Sequence, residues 1–230
     1  MEAMAMERVL ALSWEAQGYF TRLRLPLQTT KGGWTDLDVV GFHPTDRVLR
    51  IGECKFRGPA RTIWGIRPVT RKNVGEWVHW AMTLDHLRLP LHPRNHGRLM
   101  GLFPARPRKI EVVILGNWWI PHAQQASAKA YVTDLVRKVY ARVPAEHRPP
   151  QMRITGELKS GIDVILELWE TVAAETADGR GRRFGDPLLD ALREIVRHLE
   201  GRVSDGGRGA TALARKDAHS RLSAILGESP

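Results

Sequence analysis

Two short, mainly apolar segments lie close together near the start of the chain. Leu37–Phe42 is followed by Val48–Phe56, and His43–Asp46 between them holds a proline and an aspartate, which are typical of turns. The pattern predicts a β-hairpin. Arg24–Gln28 is a third strand candidate before the hairpin, and Lys109–Gly116 is rich in β-branched residues, as buried strands are.

Apolar residues recur at helical spacing on both sides of these strands. The predicted helices are Glu2–Tyr19, Asn73–Leu87, Ala126–Arg142, Ser160–Ala174, a segment that begins at Asp186 and a weaker one at Ala210–Leu226. Pro90–Arg108 holds four prolines, which predicts an irregular stretch, and Met152–Thr155 is a weak strand candidate. We expect an α/β core over residues 1–145 and a helical C-terminal extension over residues 146–230. The apolar faces of the extension could complete the core, form a homodimer or bind a partner subunit.

The composition is that of a globular protein. Hydrophobic residues make up 43% of the 230, and no apolar run approaches the ~18 residues that a membrane span needs. The first residues include Glu2 and Glu7, which does not fit a secretory signal. Cys54 is the only cysteine, which excludes an intrachain disulfide and a zinc site built on cysteine pairs. We therefore expect a cytoplasmic protein without a membrane partner.

The net charge of +10 is concentrated in one part of the chain. Between Arg57 and Lys109 there are eleven basic residues and two acidic ones, a local net charge of +9. This excess favours a polyphosphate partner, DNA or RNA, although an Arg-rich surface that only contacts water would have the same composition. The residues predicted to contact phosphates are Arg57, Arg61, Arg67, Arg71 and Lys72.

The predicted hairpin carries residue types that could hydrolyse a phosphodiester. Asp38 begins the apolar run of the first strand, and Glu53 and Lys55 lie near the end of the second. Side chains two apart in a strand share a face, so Glu53 and Lys55 point to one side while Cys54 points to the other. The two carboxylates and the backbone carbonyl of Cys54 could bind Mg²⁺, and Lys55 could orient the attacking water or hold the phosphate.

The segment WTDLDVVGFHPTDRVLRIGECKF resembles the core of the PD-(D/E)xK, or restriction-endonuclease-like, nuclease superfamily. The resemblance covers about Glu7 to Gly116 and implies an αβββαβ core, with a mixed central sheet flanked by helices. It implies that Asp38 and Glu53 bind Mg²⁺, for which Mn²⁺ can substitute, and that Lys55 is the catalytic lysine. Many members of the superfamily add a carboxylate from the first helix, and Glu15 occupies a comparable place.

The sequence departs from the family pattern in one place and repeats part of it in another. Leu37 stands where the family name has proline, and Asp36 is also in range, although the apolar run follows directly after Asp38. A second Glu-x-Lys occurs at Glu157–Lys159, but no Asp-led apolar strand precedes it at hairpin distance. We therefore assign the site to the first copy.

Other residues with chemical potential have simpler explanations. His92 and His96 are four apart, but the prolines around them argue against the helix that would bring them together on a metal. Trp77 and Trp80 could stack on bases, yet aromatic residues of a helix more often pack in a core.

Together these patterns favour a metal-dependent DNA endonuclease, which could act in restriction or defence, repair, junction resolution or transposition. Two alternatives stay open. One is a nuclease that acts on RNA, and the other is a catalytically silent nucleic-acid-binding or scaffold subunit on the same fold.

Overall fold

The computed structural model describes residues 3–55, 89–116, 122–147 and 153–177, together with Leu189. The predicted helix Asn73–Leu87, with its two tryptophans, lies outside the described residues. So do the predicted phosphate contacts between Arg57 and Lys72 and the helix predicted at Ala210–Leu226.

The described residues form five strands and four α-helices. In chain order these are α1 (Ala3–Ala16), β1 (Phe20–Gln28), β2 (Trp34–His43), β3 (Val48–Lys55), α2 (Pro93–Met100), β4 (Lys109–Gly116), α3 (His122–Tyr140), β5 (Arg153–Ser160) and α4 (Gly161–Ala177). Short 3-10 helices at Leu89–Leu91 and Ala145–His147 lie before α2 and after α3. Each predicted strand is present, and the predicted α/β class is confirmed.

The strands form one mixed sheet in the order β1-β2-β3-β4-β5. β1, β2 and β3 are antiparallel neighbours, with Val40 of β2 opposite Ile51 of β3. β4 runs parallel to β3, and β5 runs parallel to β4. β5 is longer than the predicted strand Met152–Thr155, so the sheet continues past residue 145, where we expected the core to end.

Helix α1 covers one face of the sheet. A Cβ atom built on Gly41 would lie 2.8 Å from the Trp14 ring, and one on Gly52 would lie 2.8 Å from Leu10. These two glycines therefore let α1 pack directly on the hairpin. Buried residues of this layer include Met6, Val39, Cys54, Val113, Leu115 and Val164.

Helix α3 covers the other face. Its apolar residues pack on strand residues of the opposite parity, which include Val40, Phe42, Ile51, Val112 and Ile114. The helix is also bonded to β5, because the Thr133 hydroxyl both accepts from the Gly156 amide and donates to the Gly156 carbonyl, at 3.0 Å each. Burial of apolar surface on both faces fixes the middle strands between two layers.

Strand β1 changes faces at Arg24. Leu23 packs in the α1 layer, whereas Leu25 is buried in the opposite layer. Residues two apart in a regular strand share a face, and Arg24 breaks this rule by adopting a φ of 49°, in the left-handed region. In the β1–β2 register, the distorted residue stands opposite Asp38.

Helix α2 corrects the predicted irregular stretch Pro90–Arg108. Pro93 stands in the first turn of the helix, where a missing amide hydrogen costs nothing. His92 caps the helix by accepting a hydrogen bond from the Arg94 amide at 3.4 Å. The prediction was wrong because proline breaks a helix in its interior, not at its start.

Asn95 fastens α2 to the outer edge of the sheet. Its side-chain amide donates to the Gln28 carbonyl at 2.9 Å, and its side-chain oxygen accepts from the Gln28 amide at 2.8 Å. Asn95 also donates to the Leu89 carbonyl at 3.0 Å and is 1% exposed. A buried side chain with this many bonds holds the helix in a defined place.

The chain divides into two compact units, Met1–Leu168 and Trp169–Pro230. The first unit contains the whole sheet. In the second, the described residues are the end of α4 and Leu189, and both Val172 and Leu189 are buried. Within the described part of the chain, no helix combines the length and the hydropathy needed to cross a bilayer.

Candidate functional site

Asp38 and Glu53 are neighbours across the β2–β3 hairpin. Val39 pairs with Gly52 in the antiparallel register, so the next residue outward on each strand is one of the two acids. The Cys54 amide donates a hydrogen bond of 2.7 Å to Oδ2 of Asp38. The Asp38 carboxylate is therefore held beside the peptide that joins Glu53 to Cys54.

Glu53 and Cys54 belong to opposite layers of the molecule. Cys54 is 4% exposed and packs in the α1 layer, whereas Glu53 has the strand parity of Ile51, which packs in the α3 layer. Glu53 is itself 1% exposed. A carboxylate removed from water to this extent is costly unless cations or hydrogen-bond donors compensate it.

Lys55 is the last residue of β3 and pairs with Gly116, the last residue of β4. Gly116 in turn pairs with Ser160, the last residue of β5. The carboxyl ends of the three parallel strands thus form one edge, which is where open α/β sheets bind ligands. Glu53 and Lys55 lie at this edge, as predicted from the hairpin.

Glu15, the carboxylate of α1 that we predicted to assist the site, lies some distance from Asp38 along the β1–β2 pair. Its carboxylate accepts a hydrogen bond from the Thr21 hydroxyl and lies 3.6 Å from the Arg8 guanidinium. Thr21 pairs with Gly41, three residues along β2 from Asp38. Glu15 is exposed, and its contacts are those of a surface side chain.

Glu7 is the α1 carboxylate on the Asp38 side of the helix. It is 4% exposed, and both of its oxygens accept hydrogen bonds of 3.0 Å from the Arg24 guanidinium. The Glu7 hydrogen bond, the Glu7 charge and the nearby Asp36 and Asp38 charges raise the pKa of Arg24 above its ordinary value. The Arg24 guanidinium is thus paired with Glu7 and interacts more weakly with the charges of Asp36 and Asp38.

Sequence analysis missed Glu7, although the helix pattern contained a signal. Glu7 stands three and seven residues before Leu10 and Trp14, so it falls on the apolar face that contacts the sheet. A charged residue on such a face needs a partner. Arg24 could not be recognised as that partner from the sequence, because its position depends on the distortion of β1.

The donor atoms at the hairpin are suitable for Mg²⁺. Carboxylate and carbonyl oxygens are hard ligands, and Mg²⁺ in proteins is often held by one or two carboxylates, with waters and substrate phosphates completing the shell. Asp38, Glu53 and the Cys54 carbonyl offer such a partial set. In the part of the chain that the structure describes, no cluster of three or more histidine, cysteine or acidic residues has the geometry of a metal site.

The second Glu-x-Lys is used in ion pairs. Lys159 Nζ lies 2.5 Å from Glu167 and 3.8 Å from Glu157, and Glu157 lies 3.5 Å from Lys129. Both residues of the motif are in β5 and pair with apolar residues of β4. These contacts give the second Glu-x-Lys a structural role in the packing of β5 against its neighbouring helices.

A polar cluster at the amino end of β3 is also structural. Arg50 lies beside Glu111 of β4 and bonds to it at 2.6 Å, and Lys109 bonds to the same carboxylate at 2.5 Å. Burial would raise the pKa of Glu111, but the bonds from Lys109 and Arg50 outweigh burial and lower it. Arg50 also lies 4.2 Å from the Tyr19 ring centroid, and burial raises the pKa of Tyr19 to about 12.

The sequence matches no model of a known protein family, and neither a curated protein sequence nor a solved structure shows significant similarity to the chain. Arguments about function therefore depend on the geometry of the hairpin and the charges around it.

Proposed function

We propose that the protein is a metal-dependent DNA endonuclease with a restriction-endonuclease-like core. The observation that carries this proposal is the Asp38 carboxylate, which is held on the Cys54 amide beside the buried Glu53. Two acids on adjacent strands, with Lys55 two residues after Glu53, would supply metal ligands and a group that orients the attacking water.

The topology supports the same proposal. An antiparallel β1–β2–β3 meander after α1, with β4 parallel to β3, has the order of an αβββαβ core. The helix that the sequence predicts at Asn73–Leu87 lies outside the described residues and would be the second helix of that core. β5 and α4 then extend the fold beyond the family core.

Each residue of the proposed site has a distinct role. Asp38 and Glu53 would hold Mg²⁺, with the Cys54 carbonyl as a further oxygen ligand. When bound, the ion would neutralise charge on the scissile phosphate and make the attacking water more acidic. The Cys54 amide keeps the Asp38 carboxylate in one orientation, which reduces the cost of assembling the site. Lys55 would position the water or the phosphate.

The Glu7–Arg24 pair would support the site from the α1 side of the sheet. The Arg24 charge would offset part of the repulsion between the carboxylates of the site before a cation binds. We prefer Glu7 to Glu15 as the α1 carboxylate that assists the site, because Glu7 is buried next to the strand position that faces Asp38.

Charge favours a nucleic acid as the substrate. The chain carries a net charge of +10, and in the sequence the basic stretch begins at Arg57, two residues after the end of β3 at Lys55. Such charge attracts a phosphate backbone regardless of sequence. We therefore keep Arg57, Arg61, Arg67, Arg71 and Lys72 as proposed phosphate contacts, DNA as the proposed substrate and RNA as the alternative.

The test is a cleavage assay on supercoiled plasmid in Mg²⁺, in Mn²⁺ and in EDTA. We expect metal-dependent nicking that falls by about 100-fold or more in Asp38→Asn, Glu53→Gln and Lys55→Met. Glu157→Gln, in the second Glu-x-Lys, is the matched control and should cleave like the wild type. Single-stranded and duplex RNA of matched length test the alternative substrate.

Two outcomes would overturn the proposal. Nicking that survives in all three site variants would place the chemistry elsewhere or in a contaminant. Salt-sensitive DNA binding without cleavage in any metal would favour a nucleic-acid-binding or scaffold subunit instead.

A further inference from the structure

Trp34 exposes a large aromatic surface at the start of β2. Its side chain is 64% exposed, although tryptophan usually buries most of its area. Trp34 lies four residues before Asp38 on the same strand, at the end of the hairpin that holds the proposed site. Phe20 is 63% exposed but lies at the other end of the β1–β2 pair, opposite Phe42.

A planar cation lies against the Trp34 ring. The Arg98 guanidinium carbon is 5.4 Å from the ring centroid, within the range of a cation–π contact. Arg98 also donates a hydrogen bond of 3.4 Å to the Pro26 carbonyl. The side chain is therefore held over the ring by a backbone contact as well as by the ring itself.

The backbone around this pair is fixed. Trp34 pairs with Gln28 in the β1–β2 register, and Gln28 accepts from and donates to Asn95 of α2, one turn before Arg98. Gln28 thus links β2, which carries Trp34, to α2, which carries Arg98. A surface ordered in this way loses little conformational entropy when a ligand binds.

Two more basic residues belong to the segments that carry Trp34 and Arg98. Lys31 lies in the turn just before β2, and Arg94 lies one turn before Arg98 on the same helix; all three side chains are exposed. An exposed aromatic ring among cations is the arrangement by which proteins bind single-stranded nucleic acid, since bases stack on the ring while phosphates contact the cations. The bases of an intact duplex are stacked on one another and do not offer a free face.

We propose that Trp34, backed by Arg98, stacks an unpaired base of the substrate next to the Asp38–Glu53 site. The inference builds on the proposed nuclease function and narrows its substrate to DNA that is single-stranded at or beside the cleaved bond, as in flaps, gaps and branch points. The other role for Trp34, as a cover for the turn between β1 and β2, would require no nucleic acid.

The test measures binding in EDTA, where no cleavage occurs. Fluorescence anisotropy compares a labelled oligothymidylate of about 20 nucleotides, longer than the 4–16 nucleotides of a typical binding site, with a duplex of equal length. Trp34→Leu keeps an apolar side chain but removes the stacking surface, and should weaken single-strand binding by about tenfold. Trp34→Phe should retain most of the affinity. Phe20→Leu is the matched control and should bind like the wild type.

Three results would overturn the inference: no binding of the single strand by the wild type, unchanged affinity in Trp34→Leu, or an equal loss for the single strand and the duplex. Melting temperatures of the variants show whether each is folded. If Trp34→Leu does not fold, Arg98→Gln replaces it, with the same expected loss for the single strand. Because EDTA removes catalysis, these results are independent of whether the plasmid assay detects cleavage.

Discussion

The Asp38 side chain and the Cys54 backbone are joined by a hydrogen bond of 2.7 Å across the β2–β3 hairpin. The bond continues the antiparallel ladder beyond the Val39–Gly52 pair, with a carboxylate in place of a backbone carbonyl. A substitution at Asp38 can therefore test its structural role and its proposed metal-binding role separately. The hydrogen bond needs only an oxygen, whereas metal binding needs the negative charge.

Asp38→Asn keeps an oxygen for the Cys54 amide and removes the charge. We expect it to melt within about 2–4 °C of the wild type, the shift that ~1 kcal/mol produces in a protein of this size. Its Mg²⁺-dependent cleavage should fall by about 100-fold or more. Asp36→Asn, two residues earlier, is the control and should keep its activity. Full activity in Asp38→Asn would contradict the proposed metal role.

Arg24→Ala should lower the melting temperature, because it removes the partner of the buried Glu7 carboxylate. Arg24→Lys should recover little, since an ammonium group cannot reproduce the two parallel hydrogen bonds. The double variant Glu7→Gln/Arg24→Ala should be more stable than Arg24→Ala alone, because no charge is left buried. Equal melting temperatures for Arg24→Ala and the double variant would contradict the idea that Arg24→Ala leaves a costly buried charge on Glu7.

Removal of Arg24 should also strengthen metal binding, because a cation then no longer competes beside Asp38. Calorimetric titration with Mn²⁺ compares the metal affinity of Glu7→Gln/Arg24→Ala with that of the wild type. Tighter binding in the double variant is expected if the carboxylates form the proposed site. Weaker binding would contradict this account and would mean that the pair holds the site carboxylates in place for the ion.

Gly52→Ala should destabilise the protein by about 1–3 kcal/mol, the usual cost of overpacking. The added Cβ would lie 2.8 Å from Leu10 and 2.9 Å from Trp14, so α1 would have to move from the hairpin. Gly97→Ala is the control, because a Cβ there meets nothing within 4 Å and alanine favours a helix by about 0.5–1 kcal/mol. Urea unfolding of both variants measures the difference. A Gly52→Ala protein as stable as the wild type would show that α1 packs less closely than described.

Acid should weaken the fold partly through Glu111. The pKa of this carboxyl is lowered from 4.5 in the folded protein, since the bonds from Lys109 and Arg50 outweigh burial. Its stabilising contribution is therefore complete above pH 4.5 and is lost as the pH falls through the folded pKa. Glu111→Gln should be less stable at neutral pH and should lose less stability on acidification. Parallel curves of unfolding free energy against pH would refute this account.

The hairpin could be predicted because its signals are local. Two apolar runs, a turn and charged residues at their ends determine strand positions and bring Asp38 next to Glu53 without any information from distant segments. The bounds of β4 were likewise predicted correctly, since Lys109–Gly116 is rich in β-branched residues, as buried strands are.

The Glu7–Arg24 pair and α2 depended on long-range structure. Arg24 reaches Glu7 because β1 is distorted at that residue. Arginine rarely adopts a positive φ, so the sequence gives no signal for this backbone conformation. Helix α2 is short and contains Asn95 and Gly97, which have low helix propensity, so its stability comes from the contacts of Asn95 with β1.

The contact between Asn95 and Gln28 has a further consequence for how copies of the protein meet. Among the described residues, β1 is the outermost strand on its side of the sheet, and unpaired edges can pair with strands of other molecules. At Gln28 the side-chain amide of Asn95 already occupies both the donor and the acceptor that an incoming strand would use. Two sheets could join at Gln28 only if α2 detached from β1. The helix therefore prevents edge-to-edge association at this point of the sheet.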